Sequence, residues 1–184
     1  RGAPPGVSGA AEGYQTAKTP TASQNYIYTL SESYEDRDWW PCKADMQDKI
    51  DSMDITVSVP WTGADTFWVA TNGKLIDSTI TGSSRIFTFK NRYPMASYLV
   101  CVSVARYNRY YRSITLPSGY VLGGVFNIFR GKASYTNITN AMAIQDSVVY
   151  KFSQKFGDYP FKKDKYGYYE GLGGAGGMEH QSFY

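Results

Sequence analysis

Asp54-Ile55-Thr56-Val57-Ser58-Val59-Pro60 alternates without a break: Ile55, Val57 and Val59 fall on one side of an extended chain, Thr56 and Ser58 on the other. Successive side chains of a strand point to opposite faces. A period of two with β-branched residues on one face therefore predicts a strand half-buried against a core. Pro60 closes the run, because proline has no N–H to give to a ladder.

The neighbouring segments extend the same reading. On the N-terminal side, Asn25-Tyr26-Ile27-Tyr28-Thr29-Leu30 has the aromatic and β-branched content of a strand. Residues 1–24 are rich in Gly, Ala, Pro, Ser and Thr, with Tyr14 as the one anchor, and read as a loop or frayed end. On the C-terminal side, residues 67–71, Asn72-Gly73 and residues 74–80 predict a hairpin, since Asn-Gly tolerates the positive φ of a tight turn. Residues 85–89 and 98–104 read as strands, the second with Tyr98, Val100, Val102 and Val104 on one side. Residues 110–116 and 120–129 are two more, joined by Pro117-Ser118-Gly119. Strands at this spacing, separated by turns, predict antiparallel β structure.

One helix is expected. Ile138, Ala141, Met142, Gln145, Val148, Val149, Phe152 and Phe156 recur at three and four residues, which makes one apolar stripe whose Met and Phe are read as core. Thr136 or Asn137 is the candidate cap and Gly157 the stop. From Lys162 onward no period stands out, and glycines crowd residues 171–177.

Composition narrows the function classes. A chain of 184 residues, 42% hydrophobic and 19% charged, can bury a core. Its formal charge of +3 is too small and too scattered for a nucleic-acid footprint. Seventeen Tyr and four Trp suit half-wet strands, clefts and interfaces. Cys42 and Cys101 lack metal-ligand spacing; they are free thiols or, alternatively, one bridge. No apolar run reaches the roughly 18–20 residues of a membrane span. The start, Arg1-Gly2-Ala3-Pro4-Pro5-Gly6, has neither an initiating Met nor a signal-peptide pattern, so the chain reads as an internal piece.

Two stretches carry candidate chemistry. The first runs Leu30-Ser31-Glu32-Ser33-Tyr34-Glu35-Asp36-Arg37-Asp38-Trp39-Trp40-Pro41-Cys42. The second is Phe156-Gly157-Asp158-Tyr159-Pro160-Phe161, followed by Lys165-Tyr166-Gly167 and Gly176-Gly177-Met178-Glu179-His180. Taken with Thr71-Asn72-Gly73 and Tyr93-Pro94-Met95-Ala96-Ser97-Tyr98 between them, residues 25–181 resemble the zinc aminopeptidases of the aminopeptidase N and leukotriene hydrolase family, the gluzincin metallopeptidases, of bacterial type. The chain departs from that pattern at Lys43-Ala44-Asp45-Met46, which lacks the usual Asp and Pro, and at His180, where most members have Asn.

The resemblance implies a mainly β (α+β) fold. Residues 1–106 would be the later half of an N-terminal antiparallel β domain. Residues 107–184 would begin a thermolysin-like peptidase domain, truncated before the zinc-binding helix. It implies an enzyme that removes N-terminal residues from peptides with a free N-terminus, with Zn as cofactor. Secretion or a periplasmic location is favoured for such relatives. Within this chain the implied residues bind substrate: Glu179 as main anchor of the α-ammonium, Glu32 as second, and Gly176, Gly177 and Met178 as backbone beside which the peptide pairs. No catalytic group and no metal ligand is expected here, since His-Glu-x-x-His does not occur and His180 is the only histidine. His180 is expected to orient its loop, Arg37 to pair with nearby carboxylates, and Trp39 and Trp40 to pack. A carboxylate suits an ammonium because a charge-assisted hydrogen bond is roughly twice as strong as a neutral one. Two other classes remain open: a non-catalytic β-rich binding module, and a degenerate peptidase scaffold acting in interaction.

Overall fold

The structure, a computed structural model, describes residues 13–20, 23–32, 34–43, 45–63, 66–131, 135–171 and 177–184. Along the chain run β1 (Gly13–Lys18), β2 (Asn25–Leu30), a 3-10 turn (Asp36–Asp38), β3 (Met53–Pro60), β4 (Trp68–Thr71), β5 (Lys74–Thr81) and β6 (Ser84–Asn91). A second 3-10 turn (Ser97–Leu99), β7 (Val102–Ala105), β8 (Tyr107–Thr115), β9 (Val121–Phe129), α1 (Tyr135–Phe156) and β10 (Tyr166–Tyr169) follow. The strands form three sheets, ordered β1-β2-β7-β4, β3-β6-β5 and β10-β9-β8. The pairings are antiparallel except that β10 runs parallel to β9. The fold is mainly β, as the alternation predicts.

The stretch 54–60 lies in β3. Ile55 and Val59 are buried with Val69, Phe87, Phe89 and Val104, and Val57 packs beside them, so the first two sheets share this core. Pro60 pairs with Ser84 at the end of the ladder, on a strand that has a neighbour on one side only. A second core joins the first sheet to the third through Tyr26, Tyr28, Cys101, Tyr107, Phe129, Tyr169 and Phe183. Tyr107 is 1% exposed and stacks on Phe129 at 5.4 Å. A third core packs α1, through Ile138 and Met142, on Ile114, Leu116, Leu122, Phe126 and Tyr166.

Several expectations are corrected. Residues 13–18 are not frayed: they pair along their length with β2, and Tyr14 is exposed rather than an anchor. Of the rest of the expected loop, Thr19 and Gln24 are joined by a backbone hydrogen bond at 2.8 Å between β1 and β2, and residues 1–12, 21 and 22 lie outside the described residues. Residues 67–80 are not a hairpin. β4 pairs with β7 in the first sheet and β5 with β6 in another, so the chain changes sheets at Asn72-Gly73. Gly73 does adopt the positive φ, +71°, that the dipeptide suggested. Its backbone also lies so close to β6 that a Cβ there would sit 2.4 Å from the Lys90 carbonyl oxygen. The two-residue hairpin is instead between β5 and β6, where Thr81 pairs with Ser84 across Gly82-Ser83.

Residues 98–101 are not strand; a 3-10 turn takes Ser97–Leu99 and β7 begins at Val102. The helix starts at Tyr135, so Thr136 and Asn137 stand inside it rather than capping it. Gly157, at φ +93°, does terminate it. Phe152 and Phe156, read as core, are 62% and 82% exposed, because they project from a side of α1 that the third sheet does not cover. Residues 166–169, which showed no period, are β10. Cys42 and Cys101 are both free thiols.

Candidate functional site

The C-terminal segment is held from several sides. Asn72, wholly buried, gives Nδ2 hydrogens to the Leu99 carbonyl at 3.0 Å and the Gln181 carbonyl at 2.9 Å. Its Oδ1 accepts the Cys101 N–H at 2.8 Å. The Gly73 N–H donates to Ser182 Oγ at 3.4 Å. A turn closes where the Phe183 N–H reaches the His180 carbonyl at 3.0 Å, with Ser182 at φ +61°. Tyr184 then lies along the outer edge of β10, donating its N–H to the Gly167 carbonyl at 3.0 Å and accepting the Tyr169 N–H at 2.8 Å. The third sheet thus continues past its last strand.

Side chains lock this docking. Phe183 stacks on Tyr169 at 5.2 Å. The Tyr169 hydroxyl lies 3.2 Å from His180 Nε2, which fits the expected loop-orienting role. Burial drives the His180 pKa down to about 4, against a smaller upward pull from the Leu99 backbone, so the imidazole stays neutral. Lys165 is buried beneath the segment, with Nζ donating to the Thr71 carbonyl at 2.8 Å and lying 4.3 Å from the Phe183 ring centre. Burial lowers its pKa to about 7, with Cys101 and Asp164 pulling the other way. The Cys101 thiol is pushed up to about 12, chiefly by burial, which makes it a poor nucleophile.

On this frame Met178 is buried and Glu179 exposed, followed by four buried residues, 180–183. Gly177 is exposed, and a Cβ there would come within 2.5 Å of the Tyr184 hydroxyl. Gly176 lies outside the described residues. Glu32 is exposed just beyond β2. Its strand is tied to the same stretch of chain: Thr29 Oγ1 accepts the Val102 N–H at 2.9 Å, and the Trp39 indole N–H donates to Ser31 Oγ at 2.7 Å. The backbones that carry Glu32 and Glu179 therefore both lean on residues 99–102. Neither carboxylate bonds to another described residue. Arg37 forms no ion pair among the described residues, contrary to expectation; buried Asp36 is engaged by the Ser97 hydroxyl instead.

The sequence reading gave Asn72, Lys165 and Tyr169 no role in the site. The signal for Asn72 was present but read as turn chemistry, and Lys165 carries no local mark of burial. A groove of ≈ 610 Å3 between β1, β2 and β3 is walled largely by apolar side chains such as Tyr26, Ile27, Val57, Val59 and Phe67. It offers no carboxylate to a cation. Among the described residues no three His, Cys, Asp or Glu side chains converge to hold a metal ion. No described helix is long and apolar enough to cross a membrane.

No family model matches this sequence, and no curated protein does. Solved structures do. A point mutant of a two-domain M1 zinc metallopeptidase bound to L-arginine is similar at a TM-score of 0.66 and 21% identity, over 84% of this chain and 33% of that chain. The corresponding mutant from Deinococcus radiodurans bound to a Tyr-Ser-Ala substrate gives the same values. The M1 zinc metallopeptidase from Deinococcus radiodurans matches at 0.65 and 22%, over 78% of this chain and 31% of that one. The chain spans about a third of the length of the solved chains it matches. The described fold is accordingly similar to that of a portion of these M1 zinc metallopeptidases.

Proposed function

We propose that this chain is the amine-recognition portion of a zinc-dependent aminopeptidase of the aminopeptidase N type, with Glu179 as the main anchor for the substrate α-ammonium and Glu32 as the second. The observation that carries this reading is the contrast at Glu179: an exposed carboxylate with no partner among the described residues, at the head of a segment whose next four residues are buried. A carboxylate on so firmly held a backbone is a fixed point from which to count one residue of peptide. Gly177 is exposed, so its backbone would be open to pairing with a substrate strand, the role the resemblance gives to Gly176, Gly177 and Met178. The shared fold supports the reading, and the solved proteins with that fold are described as bound to amino acids and to a tripeptide.

The domain division belongs to the same proposal: 1–106 as part of a β domain, 107–184 as the beginning of the peptidase domain. It is supported by the third sheet, whose strands all come from residue 107 onward. Zinc would be held by residues outside this chain, and no step is routed through it. An exposed carboxylate attracts an ammonium at 4 Å by only about 1 kcal/mol in water, and by about 4 kcal/mol at an effective dielectric of 20. Glu179 therefore needs a cleft wall from elsewhere to bind strongly, and these residues alone are expected to be inactive.

The test is made in the full-length gene product. Losing a hydrogen bond to a charged group costs about 1.5–3 kcal/mol, so Glu179→Ala should lower kcat/KM on amino-acid amides by about 10- to 150-fold. Glu32→Gln should do less, and Arg106→Ala should change little. Equal losses for Glu179→Ala and Arg106→Ala, or undiminished cleavage of N-acetylated substrates, would remove the amine-anchoring role.

A further inference from the structure

Helix α1 is apolar on two sides. Ile138 and Met142 are buried against the third sheet, yet Ile144, Val148, Phe152 and Phe156 stand in solvent at 65%, 42%, 62% and 82% exposure. Spaced four residues apart, they wind into a continuous ridge. Phe152 and Phe156 meet edge to face at 5.8 Å, and a shallow hollow of ≈ 420 Å3 lies against Ala143, Ile144, Val148 and Phe152. A surface helix turns one stripe to its core and polar residues elsewhere; one that is apolar on a second side is suited to being covered twice.

Charge indicates the chemistry of the cover. On a helical projection Lys151 and Lys155 border the ridge, and neither pairs with a described carboxylate. The one acidic residue of α1, Asp146, is on the other side, bonded to Arg112 and the Tyr166 hydroxyl. A second copy of α1 would offer the same lysines and no free helix carboxylate.

We propose that this ridge seats a second amphipathic helix, apolar along its centre and acidic on the border that meets Lys151 and Lys155, carried by the rest of the same polypeptide. The inference rests on the peptidase reading for the source of that helix: solved chains of this fold are about three times as long as the part matched here. The ridge itself does not depend on that reading.

The experiment uses the full-length gene product in a Cys42→Ser background, with buried Cys101 left in place. Phe152→Cys is compared with Ile80→Cys, at a position 51% exposed on β5, for the rate of maleimide labelling. The thiol introduced on the ridge should react at least ten-fold more slowly, and urea should abolish the difference. Zero-length carbodiimide coupling should join Lys151 or Lys155 to Asp or Glu of a helix in the same polypeptide. Equal labelling rates overturn the proposal, as do cross-links between two copies, protection only on phosphatidylserine vesicles, or a gene that encodes no such helix. Hydrolysis of amino-acid amides by the same preparation separates the two readings. A protected thiol in an inactive protein counts against the peptidase and for the ridge; a freely labelled thiol in an active one does the reverse.

Discussion

Asn72→Ala tests how the C-terminal segment is held. The side chain makes three hydrogen bonds, to the Leu99 carbonyl, the Gln181 carbonyl and the Cys101 N–H, at 2.8–3.0 Å, and is wholly buried. At a net value of about 1 kcal/mol each, their loss costs about 3 kcal/mol. Stranding a buried N–H and two carbonyls adds desolvation, and water entering the space returns part of it, so the expected loss is about 3–5 kcal/mol. That is a large share of the roughly 5–15 kcal/mol that holds a typical domain together. Urea unfolding followed by tryptophan fluorescence measures the total. Hydrogen exchange read on peptides covering 177–184 measures the local effect, because the Phe183 amide is bonded to His180 in the segment's own turn and the Tyr184 amide to Gly167 of β10. Thr139→Ala, which removes an exposed hydroxyl donating to the Thr136 carbonyl at 2.9 Å, is the control and should cost under ~0.5 kcal/mol. An Asn72→Ala loss below about 1 kcal/mol, with exchange in 177–184 unchanged, would refute the reasoning.

Three further outcomes follow from buried groups and from one backbone site. Lys165 has its folded pKa depressed to about 7, so between pH 7 and about 10.5 the unfolded chain binds the extra proton and stability rises with pH; Lys165→Met should flatten that window in urea titrations. His180 is depressed to about 4, so its contribution is complete above pH 6.5 and lost as pH falls through 4. The drop is about 3 kcal/mol, and it should be absent in His180→Gln. Gly73→Ala combines a φ of +71° with a Cβ 2.4 Å from the Lys90 carbonyl oxygen and should cost at least about 3 kcal/mol by thermal melting. Gly123→Ala, which meets nothing within 4 Å, should be near neutral or slightly stabilising.

β3 and β9 announce themselves in different ways: β3 because one side meets a core and the other water, β9 as an apolar run buried on both faces, with Leu122 and Phe126 in one core and Val125 and Phe129 in another. β1 and β10 did not. β1 is an edge strand of Gly, Gln, Thr and Ala with little to bury, and β10 is Tyr-Gly-Tyr-Tyr, in which no residue marks a face. Asn72-Gly73 shows a limit of local reading, since the dipeptide supplies the positive φ of a tight turn in either setting. Which strand each arm pairs with is decided by Ala70 meeting Ser103 and Ser78 meeting Phe87, partners distant from the dipeptide. Glu179 was marked by a motif; the Lys165 and Asn72 contacts that hold the residues after it are long-range and leave no periodicity. The outward Phe152 and Phe156 have the same spacing as Ile138 and Met142, so a helical period alone does not tell a covered side from an open one.

The Asn72–Gln181 bond has a kinetic meaning. It joins residues 109 apart in the chain, and closing a loop of that length costs about 4 kcal/mol of chain entropy. Few contacts made early in folding can bear such a cost, so long-range docking of this kind belongs to the slow, late part of the reaction, after the hairpins have formed. The Glu179 carboxylate would then be among the last groups to reach its place. During synthesis, the three sheets would already be waiting when residues 177–184 leave the ribosome.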